Sequence, residues 1–148
     1  MFKTIVVGID GSTTSDNAVR IACDLASKYD SRIHLVHTPQ PQTVAFALGA
    51  VAGYHAVTTM PSQEEIEKAA ATIVDDAVAV ATECGHSIAG THTEQGDPGE
   101  HITACATEVG ADLIVMGRRG LGSIGSLVQG STSLRVNHLA KCATLSVI

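Results

Sequence analysis

Five short runs of apolar residues, many of them β-branched, recur along the chain, and stretches with helical spacing separate them. In the first run Ile5, Val6 and Val7 are consecutive, which is typical of a strand buried on both faces rather than on one. Strands of this kind in alternation with helices predict a parallel sheet covered on both sides. The five predicted strands are Lys3–Ile9, Arg32–His37, Ser87–Thr93 (shorter and more polar), Asp112–Met116 and Ala143–Val147.

Helix-start and helix-stop signals fall between these runs. Ser62 followed by Glu65 resembles a capping box, and Asp97-Pro98 combines a capping side chain with a proline at the first helical position. Gly85 and Gly110 are plausible terminators. The predicted helices cover about 15–28, 62–83, 98–109 and 131–139.

This order within 148 residues predicts one α/β domain over 1–148, an open five-stranded parallel sheet with helices on both faces, that is, Rossmann-like. Residues 38–61 are rich in Pro, Gly, Thr and Ala and are predicted to be an irregular, variable connection. Ligands in such sheets bind beyond the carboxyl ends of the strands, where the strand order reverses. The loops after the first and fourth strands are therefore the places where a site is expected.

The charge is unevenly distributed. The formal net charge is −6, yet residues 113–148 contain no acidic side chain and four basic ones: Arg118, Arg119, Arg135 and Lys141. Residues 1–112 contain all 15 acidic side chains and only five basic ones. The overall acidity argues against a general nucleic-acid binder, whereas the acid-free, glycine-rich tail indicates a local anion site.

The four cysteines, Cys23, Cys84, Cys105 and Cys142, are widely spaced and form no C-x-x-C pair. Isolated thiols in a chain large enough to build a core predict reduced, mostly buried residues and a cytoplasmic location. The longest stretch without Asp, Glu, Lys or Arg, residues 33–63, is too polar and too rich in proline to cross a membrane. A soluble protein with no membrane partner is expected.

Residues 117–130 form a glycine-rich segment between the fourth strand and the last helix. Glycines let backbone N–H groups approach an anion, and a helix N-terminus adds unpaired donors, so the segment suits a phosphate chain. A P-loop is excluded because the chain has no Gly-Lys pair. The G-x-G-x-x-G match at 120–125 lies after the wrong strand for a dinucleotide fold. The alternative is a flexible surface loop that ends in an ordinary serine cap.

A longer spacing fits better. Gly117, Gly120 and Gly130-Ser131 reproduce the G-2x-G-9x-G-(S/T) pattern, and the chain resembles in this the nucleotide-binding branch of the universal stress protein family. The opening segment 5–12 and the segment 111–117 also resemble that family, and the resemblance covers all but the variable 38–61 region. One departure is Lys141-Cys142-Ala143, where the family commonly has a proline before its last strand.

The resemblance implies ATP as the ligand, with Mg²⁺ bridging its phosphates rather than lying in a protein cage. By the same resemblance Asp10 lies near the nucleoside, Ile9 and Thr38 lie near the adenine, and the glycine segment and last helix bind ribose and phosphates. The residues so implied are Ile9, Asp10, Thr38, Met116, Gly117, Arg119, Gly120, Gly130, Ser131, Thr132 and Ser133.

Several residues have simpler interpretations. Asp10 is also a good turn or helix-capping residue, and Cys142 is better explained as a small core residue than as a nucleophile. His101 and Cys105 lie four apart on a predicted helix but have no second pair nearby in sequence, which argues against a metal site. No activated nucleophile or base is evident, so no catalytic residue is assigned.

These observations favour an ATP-binding regulatory protein of the stress response, with at most slow hydrolysis, in which nucleotide changes a partner-binding surface. The alternative is a nucleotide-independent interaction protein that acts as a homodimer through its C-terminal edge strand. An adenylyl-transferring enzyme is disfavoured, because 148 residues leave no room for a second substrate domain.

Overall fold

The computed structural model describes residues 1–49, 60–121 and 130–148. In these ranges ten elements follow one another along the chain: β1 (Thr4–Ile9), α1 (Thr13–Tyr29), β2 (Arg32–His37), α2 (Pro41–Ala47), α3 (Gln63–Glu83), β3 (Gly90–Thr93), α4 (Pro98–Glu108), β4 (Leu113–Gly117), α5 (Ser131–Leu139) and β5 (Ala143–Val147).

The five strands form one parallel sheet in the order β3-β2-β1-β4-β5. Ile5 of β1 lies in register with Ile33 of β2 and with Leu113 of β4, so β1 is central. β2 and then β3 are added on one side of β1, whereas β4 and then β5 are added on the other side. The strand order therefore reverses between β1 and β4. This Rossmann-like arrangement confirms the predicted fold class.

Alternate side chains of the central strands point to opposite faces of the sheet and pack into two separate hydrophobic cores. Ile5 and Val7 of β1 pack with α1 and α3, together with residues such as Ala22 and Ile73. On the opposite face, Val6 packs with the helices α4 and α5. All six residues of β1 are buried, as the unbroken apolar run predicts, because both faces of the sheet are covered by helices.

Side chains cap the helices as the sequence predicts. The Ser62 Oγ accepts from the Glu65 N–H at 3.2 Å while a Glu65 carboxylate oxygen accepts from the Ser62 N–H at 2.7 Å, which completes the capping box. The Asp97 carboxylate accepts from the Glu100 N–H at 2.8 Å. Gly85 has a φ of +80° directly after α3, as a helix-terminating glycine requires.

Three element predictions need correction. The prediction of an irregular connection over 38–61 is wrong at Pro41–Ala47, which forms α2; residues 50–59 lie outside the described ranges. Strand β3 is four residues long and begins at Gly90 rather than at Ser87. Helix α1 begins at Thr13, because Ser12 caps it by accepting from the Ser15 N–H at 3.2 Å.

Candidate functional site

A cavity of 560 Å³ opens beyond the carboxyl ends of β1 and β4, at the place where the strand order reverses. This volume is within the range of roughly 300–1,000 Å³ that small-molecule sites occupy. The structure brings to its wall all eleven residues that the family resemblance implies: Ile9, Asp10, Thr38, Met116, Gly117, Arg119, Gly120, Gly130, Ser131, Thr132 and Ser133.

The two ends of the glycine-rich segment are held by backbone contacts. The Arg118 N–H donates to the Val147 carbonyl at 2.6 Å, and the Gly130 N–H donates to the Arg118 carbonyl at 2.8 Å. The buried Ser133 hydroxyl lies 3.0 Å from the same Arg118 oxygen and 2.9 Å from the Gly130 oxygen. Ser133 therefore supports the wall of the cavity by tying α5 to the segment. Residues 122–129, which complete the segment, lie outside the described ranges.

Two glycines of the segment are required by close packing. A Cβ at Gly117 would lie 2.9 Å from the Arg119 carbonyl oxygen and 3.1 Å from the Thr14 Cβ. A Cβ at Gly120 would overlap the Asp10 carboxylate. A side chain at Gly117 would have to move the backbone of the segment or α1, and a side chain at Gly120 would have to displace the Asp10 carboxylate.

Asp10 is both a turn residue and part of the cavity wall, the two roles that the sequence suggests for it. Its Oδ1 accepts from the Ser12 N–H at 2.9 Å, which is the turn role. Its Oδ2 accepts from the Leu121 N–H at 3.1 Å, which fixes the start of the glycine-rich segment beside β1. A single side chain thus holds the loop after the first strand and the loop after the fourth strand together.

Positive charge is concentrated on one side of the cavity. The Arg119 Nε is buried and has no hydrogen-bond partner among the described residues. No ion pair within the described ranges includes Arg118 or Arg119. The N-terminus of α5, at Ser131, adds backbone donors and a partial positive charge. This side of the cavity suits an anion.

Arg135 also lines the cavity, although the sequence places it outside the glycine-rich segment. Its guanidinium lies 3.1 Å from the Asp97 carboxylate and pairs with Glu100 as well. These acidic residues begin α4, so the positive charge of the tail is partly neutralised at Arg135. The sequence alone does not predict these ion pairs between α4 and α5, because they depend on how the two helices pack.

Apolar side chains also line the cavity, among them Ile9, Val36 and Ile102. The Thr38 hydroxyl lies 2.7 Å from the His101 Nδ1. Burial lowers the pKa of His101, although the Glu94 carboxylate opposes that shift. Helix α2, which the sequence does not predict, brings Gln42 and Thr43 to the same wall.

Other expectations concern metals and membranes. Within residues 1–49, 60–121 and 130–148, no group of three or more His, Cys, Asp or Glu side chains could hold a metal ion. The His101 Nδ1 lies against the Thr38 hydroxyl, and Cys105 is buried in the core. No helix in the part of the chain that the structure describes is long and apolar enough to span a membrane.

A family model described as the universal stress protein family matches residues 1–147. The chain belongs to this family. A universal stress protein of Thermus aquaticus is 34% identical over 99% of both chains. A relative from Mycolicibacterium smegmatis is 33% identical over 92% of this chain, which spans 45% of the length of that relative.

Solved universal stress protein structures share the fold. One, in complex with cAMP, matches with a TM-score of 0.69 at 24% identity and covers 99% of this chain and 97% of that one. Another, from Archaeoglobus fulgidus in complex with dAMP, matches with a TM-score of 0.70 at 21% identity and covers 99% and 98%. These two structural neighbours therefore each hold an adenine nucleotide.

Proposed function

We propose that this universal stress protein binds ATP in the cavity beyond β1 and β4, with Mg²⁺ on the phosphates, and acts as a nucleotide-dependent regulator in the cytoplasm. The apolar wall with Ile9 and Thr38 would hold the adenine. Asp10 and Met116 would lie near the nucleoside, and the glycine-rich segment with the start of α5 would hold ribose and phosphates. The neighbours bound to cAMP and dAMP support an adenine nucleotide as the ligand.

The observation that carries the proposal is the buried Arg119 Nε without a partner among the described residues. A buried donor left unsatisfied costs about 1–3 kcal/mol, and a charge-assisted bond to an anion would recover that cost. Gly117, Gly120 and Gly130 allow backbone to pass close to the same place. These features favour a phosphate over a neutral ligand.

The proposed role is binding rather than rapid catalysis. Asp10 is held by two backbone N–H groups, and the Ser133 hydroxyl lies against two carbonyl oxygens. Neither side chain is arranged as an activated nucleophile with a paired base, which nucleophilic catalysis would need. We therefore expect hydrolysis of ATP to be slow at most.

The test is calorimetric titration of the purified chain with ATP and Mg²⁺, after measurement of any nucleotide that copurifies. Arg119→Met is expected to weaken binding by about 10- to 100-fold, since a charge-assisted hydrogen bond contributes about 1.5–3 kcal/mol. Arg32→Met is the matched control, because Arg32 is the first residue of β2, at the amino ends of the strands and away from the cavity, and bonds to Thr4. Parallel titrations with AMP and cAMP compare the nucleotides.

Wild-type protein that carries no nucleotide and does not bind at millimolar ATP with Mg²⁺ would overturn the proposal. Equal affinity of wild type and Arg119→Met would remove Arg119 from the site. Gly130→Ala gives a second measure, because its Cβ would lie 3.1 Å from the Arg118 carbonyl oxygen at the entry to α5. Binding unchanged by both substitutions would place the nucleotide elsewhere.

A second candidate function rests on β5. This strand pairs with β4 alone in the described sheet, and Ala143 and Thr144 are exposed. An unpaired edge can accept the same strand of another copy. A homodimer that acts without nucleotide would use this edge, and the titration above separates the two candidates.

A further inference from the structure

One face of α1 contacts the C-terminal end of α3 through polar and sulfur-containing side chains. Arg20, Cys23 and Ser27 are spaced so that they lie on the same side of α1. The Arg20 guanidinium lies 3.3 Å from Glu83, and the Ser27 hydroxyl lies 2.7 Å from the His86 Nε2. These two contacts lie on either side of Cys23 and join α1 to the end of α3 and the residues that follow it.

Between those two contacts, two cysteines meet. Cys84, the residue that caps the end of α3, packs against the buried cluster that contains Cys23, and its thiol is close enough to raise the pKa of Cys23. Both are free thiols, and Cys23 is buried whereas Cys84 is partly exposed. The sequence predicts four isolated cysteines, and the structure corrects this for two of them. The fold brings together sulfur atoms that lie far apart along the chain.

The two thiols differ in their surroundings. Burial raises the pKa of Cys23 to about 11, and the neighbouring Cys84 adds to that shift. Cys23 is therefore a protonated thiol at neutral pH. Cys84 is the more accessible sulfur, and the Arg20 guanidinium lies 3.9 Å from it. A cationic neighbour and partial exposure are typical of cysteines that react with oxidants.

We propose that Cys23 and Cys84 form a reversible disulfide when the protein meets a hydroperoxide. The Cys84 thiolate attacks one peroxide oxygen, the O–O bond breaks, and Cys84 becomes a sulfenic acid while hydroxide leaves. The Cys23 sulfur then attacks the Cys84 sulfur, and the S–O bond breaks. The leaving hydroxide takes up the Cys23 proton as water. Overall, two thiols are oxidised, one hydrogen peroxide is reduced and two waters form.

This disulfide would join α1 to α3 at a distance from the nucleotide cavity. Ser15, at the start of α1, lines the cavity, and Cys23 lies eight residues farther along the helix, which is about 12 Å. The proposal therefore does not depend on nucleotide binding. Oxidation is expected to the same extent with and without ATP.

The experiment uses the purified full chain treated with hydrogen peroxide, then denatured in iodoacetamide to block every remaining thiol. Digestion with trypsin and Glu-C releases Cys23 in Ile21–Lys28 and Cys84 in Cys84–Glu94. Mass spectrometry of monomeric protein is expected to show these two peptides joined, two hydrogens lighter than their sum. Dithiothreitol is expected to separate them.

Two variants serve as controls. Cys84→Ser is expected to abolish the linked peptide and leave Cys23 alkylated after peroxide. The double variant Cys105→Ser/Cys142→Ser is expected to keep the linkage, because both cysteines pack with the core on the opposite face of the sheet. Peroxide-treated wild type in which Cys23 and Cys84 are both alkylated would overturn the proposal. The same holds if Cys84 is a sulfinic acid beside an alkylated Cys23, or if the linkage occurs only between chains.

Discussion

Asp10 has two roles that the sequence alone cannot distinguish. From the sequence, it is either a turn residue or a site residue, because both belong at the end of a strand. The structure assigns it bonds of both kinds, to the Ser12 N–H two residues away and to the Leu121 N–H 111 residues away. The first bond is local and predictable. The second depends on β4 lying beside β1, which only the folded sheet determines.

Arg135 shows where the interpretation of the tail as a positively charged region has to be reduced. The net charge of the acid-free tail predicts an anion site, and Arg118 and Arg119 of that tail line the cavity. The charge of Arg135, however, is paired with Asp97 and Glu100 of α4. Charge counts along a chain cannot include partners that arrive from another helix, so the positive surface is smaller than the count suggests.

His37 allows a prediction of pH dependence. The side chain is buried, and burial lowers its pKa, while the hydrogen bond from its Nδ1 to the Ile9 carbonyl opposes that shift. The nearby Asp10 also opposes it, and His101 adds to it. Because the folded pKa lies below the unfolded one, the unfolded chain binds the proton more readily. Stability is therefore complete above the unfolded pKa, about 6.5, and is lost as pH falls toward the folded value.

The measurement is the free energy of unfolding by urea between pH 7.5 and 5. One such histidine contributes a slope of up to about 1.4 kcal/mol per pH unit within the window between its two pKa values. His37→Asn keeps a donor near the Ile9 carbonyl but cannot titrate, and we expect it to flatten the pH dependence. His138→Asn, at an exposed position, is the control. Identical slopes in wild type and His37→Asn would contradict the prediction.

At the scale of elements, the long apolar runs and the capped helices could be predicted because their signals are local. The capping box at Ser62 and the proline after Asp97 both mark true helix starts. Helix α2 could not be predicted, because seven residues are too few to show a periodic pattern. Its cap, in which the Gln40 N–H donates to the Thr43 hydroxyl at 2.9 Å, uses a residue that rarely signals a helix start.

Ser62→Ala tests the start of α3. The substitution removes the acceptor for the Glu65 N–H, and we expect the free energy of unfolding to fall by about 1 kcal/mol. Ser87→Ala, at an exposed position between α3 and β3, is the control and is expected to change stability by less than about 0.5 kcal/mol. Urea denaturation compares the three proteins. Equal losses in both variants would show that the capping box is not what stabilises the helix.

At the scale of the whole molecule, the sheet order explains why the site could be placed before its contacts were known. Parallel strands that alternate with helices leave a crevice at the reversal of strand order, and the glycine-rich segment follows one of the two strands that border it. The sequence does not show which residues from distant parts of the chain come together at the surface. The proximity of Cys23 and Cys84 emerges only from the assembled layers, whereas the edge position of β5 is expected from the sequence and found in the sheet.

The oligomeric state tests that edge. If β5 pairs with the β5 of a second copy, sedimentation is expected to give about twice the chain mass of 15.2 kDa. Thr144→Lys places like charges near one another across a two-fold axis and is expected to weaken the dimer at least tenfold. Thr72→Lys, on the exposed side of α3, is the control. A wild-type monomer at 100 μM would contradict the proposed interface.

Both ends of the glycine-rich segment meet at one peptide, since the Arg118 carbonyl receives the Gly130 N–H and Arg118 itself is bound to Val147. These bonds hold the two ends of the segment together whatever the number of residues between them. For a flexible chain, doubling such a closed length costs only about 0.6 kcal/mol. If the proposed nucleotide binds here, we expect engineered changes in the spacing between Gly120 and Gly130 to alter ligand selectivity before they alter the free energy of unfolding.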